Sequence, residues 1–202
     1  MNIEPETVES WMKFIRFHPD KAEKYMNCFW QSQLISKMHL LNVLVDTKPY
    51  LGNTFIFGGW YGVLVQLLMD DRDLHPTKIY SIDIDSECEW IINDVIKDPL
   101  VEAVTADMVS YEYPIIPSTV INTVTEHLTQ EQYDIWWNNL PPKTVYVLQG
   151  NNFWDSPDHI RCAHDLNEFK HINNCIDNLG EAQWPCPGPS GEFLRFMSWG
   201  IK

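Results

Sequence analysis

Short apolar segments that alternate with helical segments constrain the fold of this chain most strongly. The segments have the length and composition of buried β-strands, and they cover 54–57, 78–82, 101–105, 119–122, 144–148 and 193–199. Helical patterns lie between them, and two of these helices begin at capping-box pairs, Ser86 with Glu89 and Thr129 with Gln132. A further helix is predicted around 163–169. Because strands that alternate with helices form a mainly parallel sheet covered on both faces, we predict an α/β fold.

The first part of the chain lacks strand patterns and is predicted to be helical from residue 8 to residue 46. Pro19 is a candidate for the first residue of a second helix, because proline is favoured at that position. Apolar residues then recur at helical spacing, namely Leu34, Ile35, Met38, Leu41 and Val45. Since a domain usually takes about 100–200 residues, we predict one domain over 1–202, with a helical cap over 1–48 and an α/β core over 49–202.

Charge and cysteine content argue against several classes of partner. The chain carries 14 Lys and Arg against 28 Asp and Glu, a net charge of −14, without a basic run. Such a surface repels phosphate backbones and anionic lipids, so we predict no nucleic-acid and no membrane partner. The five cysteines are odd in number and scattered, which is typical of free thiols in a reducing compartment. With no signal-peptide pattern at the start, we expect a cytoplasmic protein, whose oligomeric state the sequence leaves open.

Ligands of parallel sheets bind beyond the carboxyl ends of the strands, so the residues that follow the strands are the most informative. The first strand is followed by Gly58-Gly59-Trp60-Tyr61-Gly62, which permits a tight turn and a close approach of the backbone to a ligand. Asp83 ends the second strand at about the spacing at which an acid meets a ribose hydroxyl, and Asp107 follows the third strand. These three elements favour a nucleoside-containing ligand. The fingerprints of NAD-binding and P-loop proteins are absent from the sequence.

The ordered set of glycine loop and two acids resembles the class I (Rossmann-like) S-adenosylmethionine-dependent methyltransferases over about residues 50–202. The segments 58–62 and 81–85, with Gln33, Ser36 and Lys37 on the preceding helix, are similar to small methyltransferase-like proteins common in tailed-phage genomes. The resemblance implies a Rossmann-like, mainly parallel seven-stranded sheet. The sequence departs from the family pattern at Trp60, where a glycine is usual, and at Ile56, where an acid is usual.

The resemblance also implies S-adenosylmethionine as the cofactor and assigns residues to it. The glycine loop, through Gly58, Gly59, Trp60 and Gly62, would pack against its methionine and ribose part. Asp83 would bind the ribose and Asp107 the adenine. Gln33 and Lys37 would lie nearby, with Lys37 neutralising the cofactor carboxylate. The alternative for Gln33, Ser36 and Lys37 is the polar face of an amphipathic helix.

Candidate catalytic residues follow the fourth and fifth strands. Glu126 and His127 lie where class I methyltransferases place a substrate-positioning or base residue, and neutral imidazole is a competent base near pH 7. Asn151 and Asn152 have amides suited to orienting a polar substrate. If these strands are neighbours, both loops converge beside the cofactor sulfonium. The alternatives are that 126–127 only lead into the next helix and that 151–152 only form a turn.

Further polar residues near the C-terminal end carry weaker signals. His159, Cys162 and His164 invite a metal interpretation, but a second cysteine pair is missing, so we predict no metal site and expect His164 to line the pocket. Cys186, between two prolines, is expected in a loop.

The function predicted from these residues is methyl transfer from S-adenosylmethionine to an acceptor, most simply a small molecule. Two alternatives remain open. The first is an enzyme that consumes S-adenosylmethionine by lysis or hydrolysis. The second is a catalytically silent module that only binds it, since fold alone does not determine chemistry.

Overall fold

A computed structural model describes residues 3–47 and 50–202 and shows a seven-stranded sheet between layers of helices. The strand order is β3-β2-β1-β4-β5-β7-β6. The strands are β1 (Gly52–Phe57), β2 (Pro76–Asp83), β3 (Val101–Thr105), β4 (Thr119–Asn122), β5 (Val145–Asn151), β6 (Gly180–Gly188) and β7 (Gly191–Ile201). Strands β1 to β5 pair in parallel, whereas β7 is antiparallel to both β5 and β6. The predicted sheet is thus confirmed in its class, as a mixed sheet with an antiparallel edge.

Helices cover both faces of this sheet, as the alternation predicts. They are α1 (Pro5–Phe17), α2 (Ala22–Met26), α3 (Gln31–Thr47), α4 (Val63–Asp70), α5 (Ser86–Val95), α6 (Gln130–Asn139) and α7 (Leu166–Ile172). Short 3₁₀ turns lie at Asn27–Phe29, Met108–Ser110 and Thr125–His127. Among the described helices, none combines the length and the apolar character that a membrane crossing needs.

Side chains of the central strand β1 alternate between two apolar clusters, because successive residues of a strand point to opposite faces. Ile56 belongs to the cluster that includes residues of α1, α3, α4 and α5. Phe55 and Phe57 belong to the other cluster, with Tyr133 and Trp136 of α6. Trp11 of α1 and Leu41 of α3 are buried in the first cluster, so the N-terminal helices share the core of the sheet.

Strand β6 is the element that the sequence analysis missed. Pro185 and Pro187 argue against a central strand, since proline cannot donate to a ladder of hydrogen bonds. At a sheet edge the prolines can occupy positions that face away from the partner strand, and β6 pairs with β7 alone among the described strands. Cys186 therefore lies in a strand and is buried, which corrects its expected place in a loop.

Several predicted helix starts are shifted. Asp85, and not Ser86, caps α5 by accepting from the Glu87 amide, while Glu89 accepts hydrogen bonds from Thr105. The Ser86–Glu89 capping box is therefore wrong, whereas the Thr129–Gln132 box of α6 is confirmed in full. The proline at a helix start is Pro5 of α1, and Pro19 lies in the turn before α2. The helix expected around 163–169 begins later, at Leu166, behind Asp165 as its cap.

Candidate functional site

A cavity of about 970 Å³ lies at the carboxyl ends of the parallel strands. Its walls come from the ends of β1, β2 and β4, from the segment after β3, from the first turns of α3, and from the β6–β7 hairpin. Strands β1 and β4 are neighbours here although they are distant in sequence, so the cavity lies where the strand order reverses. This is the position at which open α/β sheets bind their ligands.

The glycine loop forms the floor of this cavity through Gly58 and Gly59. Gly58 has a φ of +69°, and a β-carbon there would lie 2.2 Å from Cγ1 of Val124. A β-carbon on Gly59 would lie 2.0 Å from Oγ of Ser81. Trp60 follows in a left-handed conformation with a φ of 48° and also lines the cavity. Both glycines are thus required by close packing of the loop against β2 and the segment after β4.

Gly62 has a different place from the one that the sequence analysis expected. It is outside the cavity lining and instead precedes α4 with a φ of +79°. A β-carbon there would lie 2.9 Å from Cγ1 of Ile92 on α5. Gly62 therefore starts α4 and allows α4 to approach α5, and its expected contact with the cofactor is not what the geometry shows.

Two carboxylates line the cavity at the ends of β2 and β3. Asp83 accepts hydrogen bonds from the backbone amides of Trp60 (3.0 Å) and Asp85 (3.1 Å). Asp107 accepts from the backbone amide of Val109 (2.9 Å). Each carboxylate oxygen carries more than one lone pair, so both groups can still accept from a ligand. The turns fix the direction of the carboxylates before any ligand binds.

Helix α3 faces the cavity with the polar residues that the sequence analysis singled out. Lys37 donates to Oε1 of Gln33 over 3.2 Å, and both side chains line the cavity. Ser36 is buried and donates to Oε1 of Gln149 (2.9 Å), whose amide donates back to the Ser36 carbonyl (3.1 Å). This pair ties α3 to β5. Burial, with a contribution from nearby Arg195, lowers the pKa of Lys37 to about 8.

Glu126, after β4, lies at the other end of the cavity and is 2% exposed. Its Oε1 accepts a hydrogen bond from the Asn151 amide and lies 3.5 Å from Nη1 of Arg195. Its Oε2 is buried without a hydrogen-bond partner among the described residues. Arg195 of β7 is itself buried and lines the cavity. Glu126 is thus a buried carboxylate in the lining of the cavity, with one oxygen occupied and the other unpartnered.

Arg195 was missed by the sequence analysis, which assigned its segment to an apolar strand. The available signal was a lone arginine within 193–199, a segment that otherwise reads as buried. A charged side chain in such a position usually has a partner, because an unpaired buried charge is costly.

Two histidines lie beside Glu126. His127 is exposed on the cavity wall, and its ring lies perpendicular to that of His159, with 4.9 Å between centroids. Nδ1 of His159 lies 2.7 Å from the Phe153 carbonyl. Glu126, His127 and His159 each offer one possible metal-ligand atom, and these atoms lie within 4.8 Å of one another.

Other residues expected at the site lie elsewhere. Asn151 is buried between Glu126 and the amide of Phe153, and the side chain of Asn152 accepts from the Leu194 amide (2.7 Å). Neither asparagine lines the cavity. His164 is exposed and pairs with Glu168, which corrects its expected place in the pocket.

Cys162 does not join the histidines as a candidate ligand. Its thiol donates to Oδ1 of Asn151 over 3.3 Å. Burial, with the nearby Glu126 charge adding to it, raises the pKa of this thiol to about 12. Because its thiol is occupied by this hydrogen bond within the protein, Cys162 is a structural residue here.

Comparison with solved structures relates this fold to methyltransferases. The N-methyltransferase NodS from Bradyrhizobium japonicum WM9 shares 14% sequence identity, with a TM-score of 0.63 over 84% of this chain and 97% of NodS. NodS in complex with S-adenosyl-L-homocysteine matches at 14% identity and a TM-score of 0.62, over 83% and 87% of the two chains. A DhpI–SAM–HEP complex matches 98% of this chain and 84% of DhpI, at 13% identity and a TM-score of 0.54.

No protein-family model matches the sequence, and no curated protein matches it either. At the identities given above, the likeness to solved structures establishes the fold. The chain therefore has the Rossmann-like methyltransferase fold.

Proposed function

We propose that this protein transfers the methyl group of S-adenosylmethionine to a small-molecule acceptor. The observation that carries the proposal is that Gly58, Gly59, Asp83, Asp107 and Lys37, each singled out from the sequence, line one cavity. That cavity lies where the fold binds ligands, at the reversal of strand order. The resemblance to methyltransferase-like proteins of tailed phages stays a prediction.

The chemistry of the lining fits this cofactor group by group. Gly58 and Gly59 carry no side chain at the floor of the cavity, so a ligand can lie directly against the backbone there. Asp83 can accept from the ribose hydroxyls, and Asp107 can accept from the adenine amine. Lys37 supplies a cation for the cofactor carboxylate, in a partly buried position where the attraction is stronger than in water.

The opposite end of the cavity is assigned to the acceptor. When bound, S-adenosylmethionine supplies an electrophilic methyl group, so the protein mainly has to hold donor and acceptor in line and remove a proton. His127 and Glu126 are the side chains at this end that can accept a proton. Helix α3 and the β6–β7 hairpin, through Pro187 to Pro189, border the cavity from above. A bordered cavity on a chain with a net charge of −14 favours a small molecule over a nucleic acid.

Calorimetry with S-adenosylmethionine and S-adenosylhomocysteine tests the cofactor. We expect Asp83→Ala to weaken binding at least about tenfold, because a charged hydrogen bond is typically worth about 1.5–3 kcal/mol. Asp46→Ala, which removes an exposed carboxylate near the far end of α3, is the matched control and should bind like the wild type. Unchanged affinity in folded Asp83→Ala protein contradicts the assignment.

Product analysis distinguishes methyl transfer from the two alternative functions. Incubation with S-adenosylmethionine and a panel of small acceptors should release S-adenosylhomocysteine. Methylthioadenosine or homoserine lactone instead indicates a lyase or hydrolase. Tight cofactor binding without any product indicates a module that only binds.

A further inference from the structure

Three metal-ligating side chains meet at the acceptor end of the cavity, although they come from two separate loops. Glu126 and His127 lie in the 3₁₀ turn after β4, and His159 lies in the long segment between β5 and α7. The amides of Ile160 and Arg161 both donate to the Glu126 carbonyl over 3.0 Å, which holds the second loop against the first. One ligand atom from each of the three residues lies within 4.8 Å of the other two.

The carboxylate of Glu126 is oriented by its surroundings so that one oxygen remains free. The Asn151 amide donates to Oε1, and the Arg195 guanidinium lies 3.5 Å from that same atom. Oε2 is buried and has no partner among the described residues, although buried acceptors are nearly always satisfied. A carboxylate that is 2% exposed, lies in the lining of a cavity and keeps one unpartnered oxygen is suited to hold a cation.

The tautomer of His159 is also settled by its contacts. Its Nδ1 lies 2.7 Å from the Phe153 carbonyl, which can only accept, so Nδ1 carries the proton. The lone pair of the neutral ring is therefore on Nε2. A backbone carbonyl that accepts from the second ring nitrogen is the usual support of a metal-binding histidine.

We propose that Glu126, His127 and His159 bind a divalent first-row transition-metal ion such as Zn²⁺ or Co²⁺. Two imidazoles and one carboxylate favour such ions over Mg²⁺ and Ca²⁺, which prefer oxygen ligands. Three protein ligands leave coordination positions open, which is the pattern of a catalytic rather than a structural site. The ligands of such an ion lie about 3–3.5 Å apart, so the three ligand atoms, which lie within 4.8 Å of one another, would draw together by about 1–2 Å on binding.

The site also narrows the class of acceptor, and this part rests on the proposed function. Because all three ligands line the cavity, an ion held by them would suit an acceptor with a hydroxyl or carboxylate oxygen. A bound cation would lower the pKa of such a hydroxyl, so that its proton passes to solvent water and not to His127, whose ring nitrogen is then occupied as a ligand.

Titration of the chelator-treated protein tests the site without any methyl transfer. We expect Zn²⁺ to bind with a stoichiometry of one by calorimetry, and Co²⁺ to give a visible d–d spectrum that Zn²⁺ displaces. His127→Ala and His159→Ala should each weaken binding at least about tenfold, because even the loss of a partner that only supports a ligand typically costs about 10–100-fold in metal affinity. His127 is exposed, so its removal is compatible with a folded protein.

The matched control is His164→Ala, which removes an exposed histidine that pairs with Glu168 and does not belong to the triad. This variant should bind Zn²⁺ like the wild type. The proposal is overturned if the wild-type protein binds neither Zn²⁺ nor Co²⁺ at a metal concentration of about 100 µM, which is high enough to fill even a weak site. It is also overturned if both triad variants bind as tightly as the wild type. S-adenosylmethionine affinity measured on the same proteins reports separately on the proposed function.

Discussion

Replacing Gly58 with alanine tests whether the glycine loop is dictated by packing. The residue has a φ of +69°, where alanine costs about 1–2 kcal/mol. Its new β-carbon would also lie 2.2 Å and 2.6 Å from the two methyl carbons of Val124. Overpacking of this kind costs about 1–3 kcal/mol. We therefore expect Gly58→Ala to lower the free energy of unfolding by about 2–5 kcal/mol.

A double-mutant cycle with Val124→Ala separates the two contributions. Removing the Val124 methyls relieves most of the overpacking. The left-handed backbone remains, and the Cβ of Val124 still lies 2.9 Å from the β-carbon added at residue 58. Gly58→Ala should then cost about 1–2 kcal/mol less in the Val124→Ala background than in the wild type, because the effects of substitutions at contacting residues on stability do not add.

Urea unfolding, with linear extrapolation and a comparison of m-values, measures each corner of the cycle. Gly191→Ala is the control, because Gly191 also has a positive φ, at +134°, but has no atom within 4 Å of an added β-carbon. It should show no coupling to Val124→Ala. A cost below about 1 kcal/mol for Gly58→Ala, or a coupling within the usual additivity error of about 0.5 kcal/mol, would refute the reasoning.

Three further predictions concern charge and capping. Because the pKa of Lys37 is lowered to about 8, its ammonium is present below about pH 8 and lost above it. In calorimetry, the wild type should therefore bind S-adenosylmethionine more tightly than Lys37→Met at pH 7, and this advantage should disappear as the pH rises to 9. Arg195→Met should lower the free energy of unfolding by about 3–5 kcal/mol, because it leaves Glu126 as an unpaired buried charge; adding Glu126→Gln should restore part of this loss in urea unfolding. Thr129→Ala should cost about 1 kcal/mol by the same assay, because Thr129 caps α6, and no measurable loss would contradict the capping role.

The elements predicted correctly are those whose signals are local. The parallel strands are short apolar segments flanked by helices, and the Thr129–Gln132 box is readable within four residues. Strand β6 has no such signal, because Pro185 and Pro187 are compatible with a strand only at a sheet edge. Whether a segment lies at an edge is a property of the whole sheet, so the sequence around it does not reveal it.

The cofactor end of the cavity was predicted better than the acceptor end, also for a physical reason. The carboxyl ends of parallel strands meet at one edge of a sheet, so Gly58, Asp83 and Asp107 had to lie close together once the strands were assigned. The direction of a loop side chain has no such constraint. Asn152 forms hydrogen bonds with Leu194 of β7 through its backbone and its side chain, and this depends on a strand pairing that the sequence pattern does not specify.

Strand β7, which is antiparallel to β5 and β6, explains why the acceptor end of the cavity contains residues that belong to no sequence motif. A strand that runs against its neighbours brings its N-terminal half to the edge where the parallel strands have their carboxyl ends. The register pairs Asn151 at the end of β5 with Arg195 near the start of β7. Both side chains reach Glu126 from β5 and β7, and together they occupy Oε1. The arrangement of Glu126 beside two histidines, with one oxygen unpartnered, thus depends on the reversed direction of β7, and so does the chemistry that we assign to that end of the cavity.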